Sequence, residues 1–324
     1  MRLDRTHVRI RERNVLEVID LAMRLFRVHF RPIALLAAVG AAPWILLDDL
    51  TTIGLIDPLD GTHDVPLGVQ FYQLLAVLVQ APLALLPVTV YLGHAVFDES
   101  PSPRRILADT FRGASKSLVS LGMLRGAIPS ALLMLMLPLA SNDSPLAVLW
   151  VLGWWGLLPL VLFIRWVRPF APEVIALERP PWSSPAPDQP SFAQRMGQIH
   201  AGSFAETGGR GILFALLAGS MVWVCYVGLG SLWGLAFHHF LPTGATLRFI
   251  WPLALWTVAA LMTVVRFVNY LDVRIRQEGW EVELLMRAEG RHLEEAHRAS
   301  LGIVPESTST SPVDLLSAIE EGAS

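Results

Sequence analysis

The amino-acid sequence predicts an all-α fold, a polytopic membrane bundle of six transmembrane helices. Its 324 residues are 53% apolar and only 16% charged, whereas soluble proteins carry roughly 25% charged residues. The mean hydropathy is +0.49, and long apolar segments recur along the chain between charged residues. These observations argue against a soluble globular protein, and the single cysteine, Cys225, excludes a disulfide scaffold.

A transmembrane helix needs about 20 mostly apolar residues, or fewer where long side chains at its ends reach the interface. The segments that meet this requirement predict spans near 32–48, 70–94, 118–141, 145–164, 212–236 and 249–269. The first is the shortest, because only 32–47 separate Arg31 from Asp48, which gives about 24 Å of helix. We therefore expect flanking residues to complete that span.

Basic residues are confined almost entirely to one side of this topology. Residues 1–31 carry eight arginines, and most of the remaining Lys and Arg lie in the second and fourth connections and after the last span. Cytoplasmic loops are enriched in Lys and Arg. The sequence therefore predicts that the N- and C-termini are both cytoplasmic.

A basic amphipathic stretch precedes each odd-numbered span, at 14–30, 103–118 and 192–204. Apolar residues recur in each at the spacing of one helix face. Asn14 is predicted to cap the first helix, with Glu17 completing a capping box. Helices of this kind lie in the headgroup plane of a bilayer, so the pattern predicts an interfacial helix followed by a helical hairpin, three times over.

The predicted domains follow from these patterns. A cytoplasmic basic segment covers 1–31, and the six-helix transmembrane domain covers 32–269. Between the fourth and fifth spans, five prolines predict an extended surface linker over 179–191. After the last span, the charged residues of 270–299 predict a cytoplasmic helix, and 300–324 have the composition of a disordered tail.

Three residues in the predicted spans are candidate polar or substrate contacts: Arg125, Gln73 and Gln80. Charged residues within a membrane are costly and usually functional, but Arg125 also lies near enough to the start of its span to reach the interface. Gln73 and Gln80 are seven residues apart and share a helix face, where they line a polar pathway or hydrogen-bond a neighbouring helix. The sequence leaves both alternatives open.

Prolines and small residues mark two further spans. Pro82 and Pro87 fall within one span, and broken helices are typical of transporter sites, although membrane helices also tolerate prolines. The fifth span instead carries two small-residue spacings, Ala215-x-x-x-Gly219 and Gly230-x-x-x-Gly234. Such spacings allow close helix approach, and we expect them to pack within the bundle rather than to mediate dimerisation.

The C-terminal segment offers a candidate docking face. Trp280 and Leu284 are four residues apart and form an apolar stripe in the predicted helix. Because its acidic neighbours would be repelled by an anionic leaflet, we expect this stripe to dock on protein. Just before it, we expect one interface anchor and three headgroup contacts: Tyr270, Arg266, Arg274 and Arg276.

Motifs of catalytic and metal sites are missing from the sequence. There is no H-E-x-x-H, no G-x-x-x-x-G-K-[ST] and no pair of intramembrane carboxylates. His238 and His239 alone make a weak metal site, and the net charge of −3 argues against nucleic-acid binding. The sequence therefore predicts a non-enzymatic protein with no cofactor and no metal.

Three flanking stretches resemble a known group of proteins. They are 8–21 (VRIRERNVLEVIDL), 172–178 (PEVIALE) and 265–284 (VRFVNYLDVRIRQEGWEVEL). They resemble uncharacterised bacterial multi-pass membrane proteins that are similar to the membrane domain of glycerophosphodiester phosphodiesterase-like proteins. The resemblance implies a bacterial inner-membrane location. It brings no catalytic residue, because no connection is long enough to hold the phosphodiesterase barrel.

These features favour a membrane subunit or scaffold, surrounded by the lipid bilayer, with a protein partner on its cytoplasmic docking face. The alternative is a small-molecule transporter or permease. Intramembrane ionisable residues distinguish the two, because ion-coupled carriers commonly have several and, apart from the residues that mark span ends, the predicted spans contain at most Arg125.

Overall fold

The computed structural model describes residues 14–52, 67–95, 103–113, 168–181, 190–200, 204–238 and 246–278, with isolated positions between 128 and 163. Within these residues every regular element is a helix, which confirms the predicted all-α fold. The chain divides into two compact units, Met1–Gln277 and Glu278–Ser324. The helices below belong to the first unit, apart from the final residue of the last helix.

Most of the helices overlap the predicted segments, but the short helix at Ala171–Glu173 and the turn after it lie where no helix was predicted. In chain order they are α1 (Val15–Val28), α2 (Phe30–Thr52), α3 (Leu67–Ala84), α4 (Leu86–Ala95), α5 (Pro103–Gly113), α6 (Ala171–Glu173), α7 (Phe192–His200), α8 (Phe204–Phe237) and α9 (Trp251–Glu278). Two π-helical turns extend them: π1 (Val174–Glu178) continues α6, and π2 (Thr246–Ile250) leads into α9.

Among the described helices, α2, α8 and α9 are each long and apolar enough to cross a membrane. Helices α3 and α4 make a fourth span when they are counted together. These four correspond to the first, second, fifth and sixth predicted spans. The third and fourth, near 118–141 and 145–164, lie outside the described residues except for isolated helical positions, so the number of six stays a prediction.

The second span is bent where its prolines lie. Helices α3 and α4 meet at an angle of 44°, and Leu85 separates them between Pro82 and Pro87. Pro87 has no N–H and therefore removes one hydrogen bond from the helix ladder. The N–H groups of Val88 and Thr89 both donate to the carbonyl oxygen of Leu85, each at 3.1 Å.

Close backbone contact joins α2 to this bend. A Cβ at Gly40 would lie 1.9 Å from the carbonyl oxygen of Ala84, so only glycine fits there. Helix α4 then packs through Gly93 on π1, where a Cβ would lie 2.4 Å from Leu177 Cδ2. His29, between α1 and α2, is hydrogen-bonded through Nδ1 to the Tyr91 hydroxyl of α4 at 2.8 Å. Helix α4 is thus enclosed by its neighbours.

The three predicted amphipathic stretches form the helices α1, α5 and α7. The backbone N–H of Asn14 donates to the Glu17 carboxylate at 3.2 Å, as the capping box requires. Ser191 and Gln194 cap α7 in the same reciprocal way, at 2.9 and 3.4 Å. Each helix buries apolar side chains against protein, and α7 does so with its entire stripe, Phe192, Met196 and Ile199. For α7, protein therefore takes the place of the lipid that the sequence led us to expect.

Of the three single-helix candidate spans, α8 has the smallest buried share. None of the most apolar part of Gly208–Phe237 is buried, and Leu216, Trp223 and Val224 are among its exposed side chains. No described residue would lie within 4 Å of a Cβ at Gly219 or Gly230. The packing within the bundle expected of these two glycines is therefore not found in the described part of the chain.

We predict that Gly40→Ala lowers stability, because its new methyl group meets a backbone oxygen that cannot rotate away. Overpacking of this kind costs about 1–3 kcal/mol. Gly219→Ala is the matched control, since its methyl group enters open space. Thermal unfolding in detergent, followed by circular dichroism, measures the difference. Equal melting temperatures of the two variants would contradict the close contact between α2 and α3.

Candidate functional sites in the helix bundle

Charged side chains gather around the last third of α9. We call this group the carboxylate–arginine cluster. Its members come from α6, π1, α7, α8 and α9, and they are Glu173, Glu178, Arg195, Arg210, Arg266, Asn269, Tyr270, Asp272, Arg274 and Arg276.

One face of α9 contacts the carboxylates of α6 and π1. Arg266, Tyr270 and Arg274 follow at intervals of four, which puts them on one side of the helix. Arg266 Nε lies 2.5 Å from an oxygen of Glu173. The Tyr270 hydroxyl donates to Glu178, and Arg274 Nη1 lies 3.6 Å from the same oxygen. The two glutamates, at the end of α6 and the end of π1, thus both face α9.

A second face of α9 holds the start of α8. Arg210 Nη1 donates to the Asn269 side chain at 2.9 Å and to the Asp272 carboxylate at 2.7 Å. Arg276, one turn further along, donates to the same Asp272 oxygen at 2.7 Å. Arg210 is buried and Asp272 has no exposed surface. Helix α8 is therefore anchored to α9 by a buried ion pair.

Helix α7 completes the cluster from the outside. Arg195 donates to both oxygens of Glu178, through Nε and, at 3.2 Å, through Nη2. The apolar stripe of α7 packs on Phe170 and Tyr270, whose ring centroids lie 5.9 Å apart. Phe192 N–H donates to the Pro181 carbonyl oxygen at 2.9 Å. This bond closes the proline-rich linker at its base.

The carboxylates and arginines of the cluster pair with one another. Glu173 and Asp272 are fully buried, and a buried charge is tolerated only when it is paired and hydrogen-bonded. Every carboxylate in the cluster accepts a hydrogen bond from at least one arginine. The geometry fixes helices relative to one another and assembles no nucleophile and base from the described residues.

This arrangement corrects the expectation for Tyr270 and gives three arginines carboxylate partners that the sequence did not reveal. Tyr270 is fully buried and not an interface anchor. Arg266, Arg274 and Arg276 pair with carboxylates, where the sequence suggested contacts with lipid headgroups. A signal was available in part, because Asp272 precedes Arg276 by four residues, the spacing of an ion pair within one helix.

A second polar group lies at the opposite end of α2 from α1. We call it the Asp48 cluster: Asp48, Thr51, Thr52, Tyr72 and Gln80. Gln80 Nε2 donates to Asp48 Oδ1 at 2.9 Å. Thr51 and Thr52 donate to the Asp48 backbone carbonyl at 2.9 and 2.8 Å, and Thr51 is also hydrogen-bonded to the Tyr72 hydroxyl at 3.1 Å. The Asp48 carboxylate is buried, with 7% of the residue exposed.

The neighbouring carboxylate has a different partner. Asp49 accepts two hydrogen bonds from Arg248, at 2.6 and 2.8 Å, in the bidentate geometry of a strong pair. Trp251, three residues later, donates its indole N–H to the Gln70 carbonyl oxygen at 3.3 Å. These contacts join the end of α2 and the start of α3 to the start of α9.

The structure locates two of the candidate residues named from the sequence. Gln73 and Gln80 both lie in α3 and are buried, and Gln80 hydrogen-bonds a neighbouring helix. Arg125, Trp280 and Leu284 lie outside the described residues. Asp48 was not predicted as a site residue, because its charge was used to mark the end of the first predicted span. Its spacing from Thr51 and Thr52 is the one signal that could have indicated a polar turn.

No match emerged when the chain was compared with family models, with curated proteins and with solved structures. The resemblance stated above therefore stays an expectation. Within the described residues, no three His, Cys, Asp or Glu side chains are grouped closely enough to hold a metal ion. The two clusters are thus interpreted from their own geometry.

We predict that Arg266→Met destabilises the protein strongly, because it leaves the buried Glu173 charge without its arginine. Removing one partner of a buried pair costs about 3–5 kcal/mol. The double variant Glu173→Leu with Arg266→Met should regain most of this loss. Arg24→Met, in the exposed pair of Asp20 with Arg24, is the control and should have no measurable effect.

Thermal unfolding of the four proteins in one detergent tests this prediction. A double variant as unstable as Arg266→Met would show that packing around the side chains, and not their charges, is what matters at this contact.

Proposed function

We propose that the protein is a non-enzymatic, multi-pass inner-membrane protein of a bacterium that acts as a membrane subunit or scaffold. The carboxylate–arginine cluster is the observation that carries the proposal. It ties α6, π1, α7, α8 and α9 together, and α9 ends two residues before Trp280 in the sequence. A docking segment that follows a firmly held helix in the chain is favoured, because a preorganised surface loses less conformational entropy on binding.

Six spans with cytoplasmic termini form part of this proposal. A series of contacts supports a shared side for the predicted cytoplasmic segments, and their basic residues are the reason to propose that this side is cytoplasmic. His29 contacts α4, His94 of α4 lies 3.5 Å from Asp109 of α5, and Arg179 donates to the Asp109 carbonyl oxygen at 3.4 Å. The segments predicted to be cytoplasmic therefore adjoin one another, while Asp49 and Arg248 join the other ends of their helices.

The topology predicts a labelling pattern. With Cys225 replaced by serine, single cysteines at Ser102 and Ser184 should resist an impermeant thiol reagent in intact spheroplasts, because both connections are cytoplasmic. A cysteine at Thr62 should react. Permeabilised cells provide the control, since all three positions should then be labelled. Labelling of Ser184→Cys from outside would overturn the proposed orientation.

The proposed scaffold function predicts a partner that depends on two side chains. We expect Trp280→Ala with Leu284→Ala to leave membrane insertion intact and to lose a stoichiometric protein that co-purifies with the wild type in mild detergent. Burial of both side chains would contribute roughly 3–5 kcal/mol. Deletion of 300–324 is the matched control and should keep the partner.

Affinity purification followed by mass spectrometry measures this outcome. Identical co-purifying proteins from the wild type and the double variant would contradict docking through Trp280 and Leu284, and absence of any stoichiometric partner from the wild type would count against the scaffold function.

A transporter or permease is the second candidate. It is favoured by a buried carboxylate, Asp48, in a candidate span and by the bend between α3 and α4. Intramembrane ionisable residues and broken helices are both typical of transport pathways.

A further inference from the structure

We propose that Asp48 and Gln80 form a binding site for a small monovalent cation, either an alkali-metal ion or a proton, inside the helix bundle. The site goes beyond the scaffold function and does not depend on it. It rests on a buried carboxylate with a neutral partner and on amide oxygens for which the described residues supply no hydrogen-bond donor.

The first step is the charge of Asp48. Its carboxylate is almost completely buried, and its side-chain partner among the described residues is the neutral amide of Gln80. A buried carboxylate without a cation carries a large desolvation cost. A bound cation would remove that cost.

The charged and titratable groups around Asp48 do not supply this cation in the described structure. Asp49 is next to it on α2 and is itself acidic. Tyr72 faces it from α3 and is a neutral hydrogen-bond partner of Thr51. Arg248 approaches from π2, but two of its nitrogens are directed at the two oxygens of Asp49.

The second step is the set of oxygens available as ligands. Gln80 Oε1 is buried and has no partner among the described residues, and the same holds for Gln73 Oε1. Gln73 lies two turns from Gln80 on the same buried face, about 10 Å nearer the start of α3. Carboxylate and amide oxygens are the ligands of hard cations, and the one carboxylate of the site balances one positive charge.

Gln80 suits either cation. An alkali ion would lie between Asp48 and Gln80 Oε1. A proton on Asp48 would be donated to the same oxygen after the amide turns over, because an amide offers a donor on one side and an acceptor on the other. The proposal therefore names the shared chemistry, and the experiment separates the two ions.

The third step is the position of the site. Gln80 lies about 20 Å along the helix from Leu67 and about 22 Å from Ala95, so it is close to the middle of the bent span. The break at Leu85 follows one turn later. Asp48 approaches Gln80 from the end of α2, four residues before that helix ends. Broken helices beside buried polar groups are typical of the cation sites of membrane carriers.

Thermal unfolding of the purified full-length protein tests the site. The melting temperature is measured in LiCl, NaCl, KCl and choline chloride at one ionic strength, at pH 5.5 and at pH 8. A ligand that binds only the folded state raises stability by mass action. An alkali ion should raise the melting temperature by several degrees relative to choline, whereas a proton should raise it at pH 5.5 in every salt.

Variants assign the effect to the site. Asp48→Asn should abolish the dependence on cation or pH, and Asp20→Asn, a control in the exposed pair of Asp20 with Arg24, should keep it. If Asp48→Asn does not fold, Gln80→Leu replaces it and should raise the concentration of cation, or of protons, at half-maximal effect by at least tenfold. A wild type indifferent to both salt and pH, or an effect of full size in Asp48→Asn or Gln80→Leu, would overturn the proposal.

Discussion

Pairing of the buried carboxylates with arginines around the end of α9 is the constraint on which the rest of the bundle depends. A buried charge without a partner costs several kcal/mol, so each helix that brings one must lie where its partner is. Glu173 and Glu178 hold α6 and π1 against one face of α9, and Asp272 holds α8 against another. The apolar contacts of the core then fill the space that these pairs define.

The charged residues of α9 bound an uncharged segment about as long as a bilayer core is thick. Its two flanking charged residues, Arg248 and Arg266, each have a carboxylate partner, Asp49 and Glu173 respectively. No charged residue lies between them, and the separation is about 27 Å of helix. The hydrocarbon core of a bilayer is about 30 Å thick. The described ion pairs of this helix therefore occur where an apolar layer of that thickness would end, and the side chains between them face protein or lipid.

The helices could be predicted from local sequence patterns. The ion pairs between helices could not, because their two residues are far apart in the sequence. The capping box of Asn14 and Glu17 joins residues three apart and was visible in the sequence. Arg266 and Glu173 are 93 residues apart, and Arg210 and Asp272 are 62 apart. The arginines of α9 suggested contacts with lipid headgroups, because the glutamates that pair with Arg266 and Arg274 lie far away along the chain. Asp48 was missed for the same reason, because the residue that donates a hydrogen bond to it, Gln80, lies 32 residues away in another helix.

The two polar clusters differ in how they would respond to the binding of a proton or an ion. In the carboxylate–arginine cluster, each carboxylate is paired with an arginine. A proton or ion that bound a carboxylate there would have to break an ion pair between two helices. The cluster therefore resists exchange and is suited to a fixed structural role. In the Asp48 cluster a carboxylate meets an amide, which can present either a donor or an acceptor without moving a helix. Exchange of a cation there would change one amide hydrogen bond between α2 and α3 and would leave the ion pairs of the carboxylate–arginine cluster intact. The proposed scaffold function and the proposed ion site are therefore compatible.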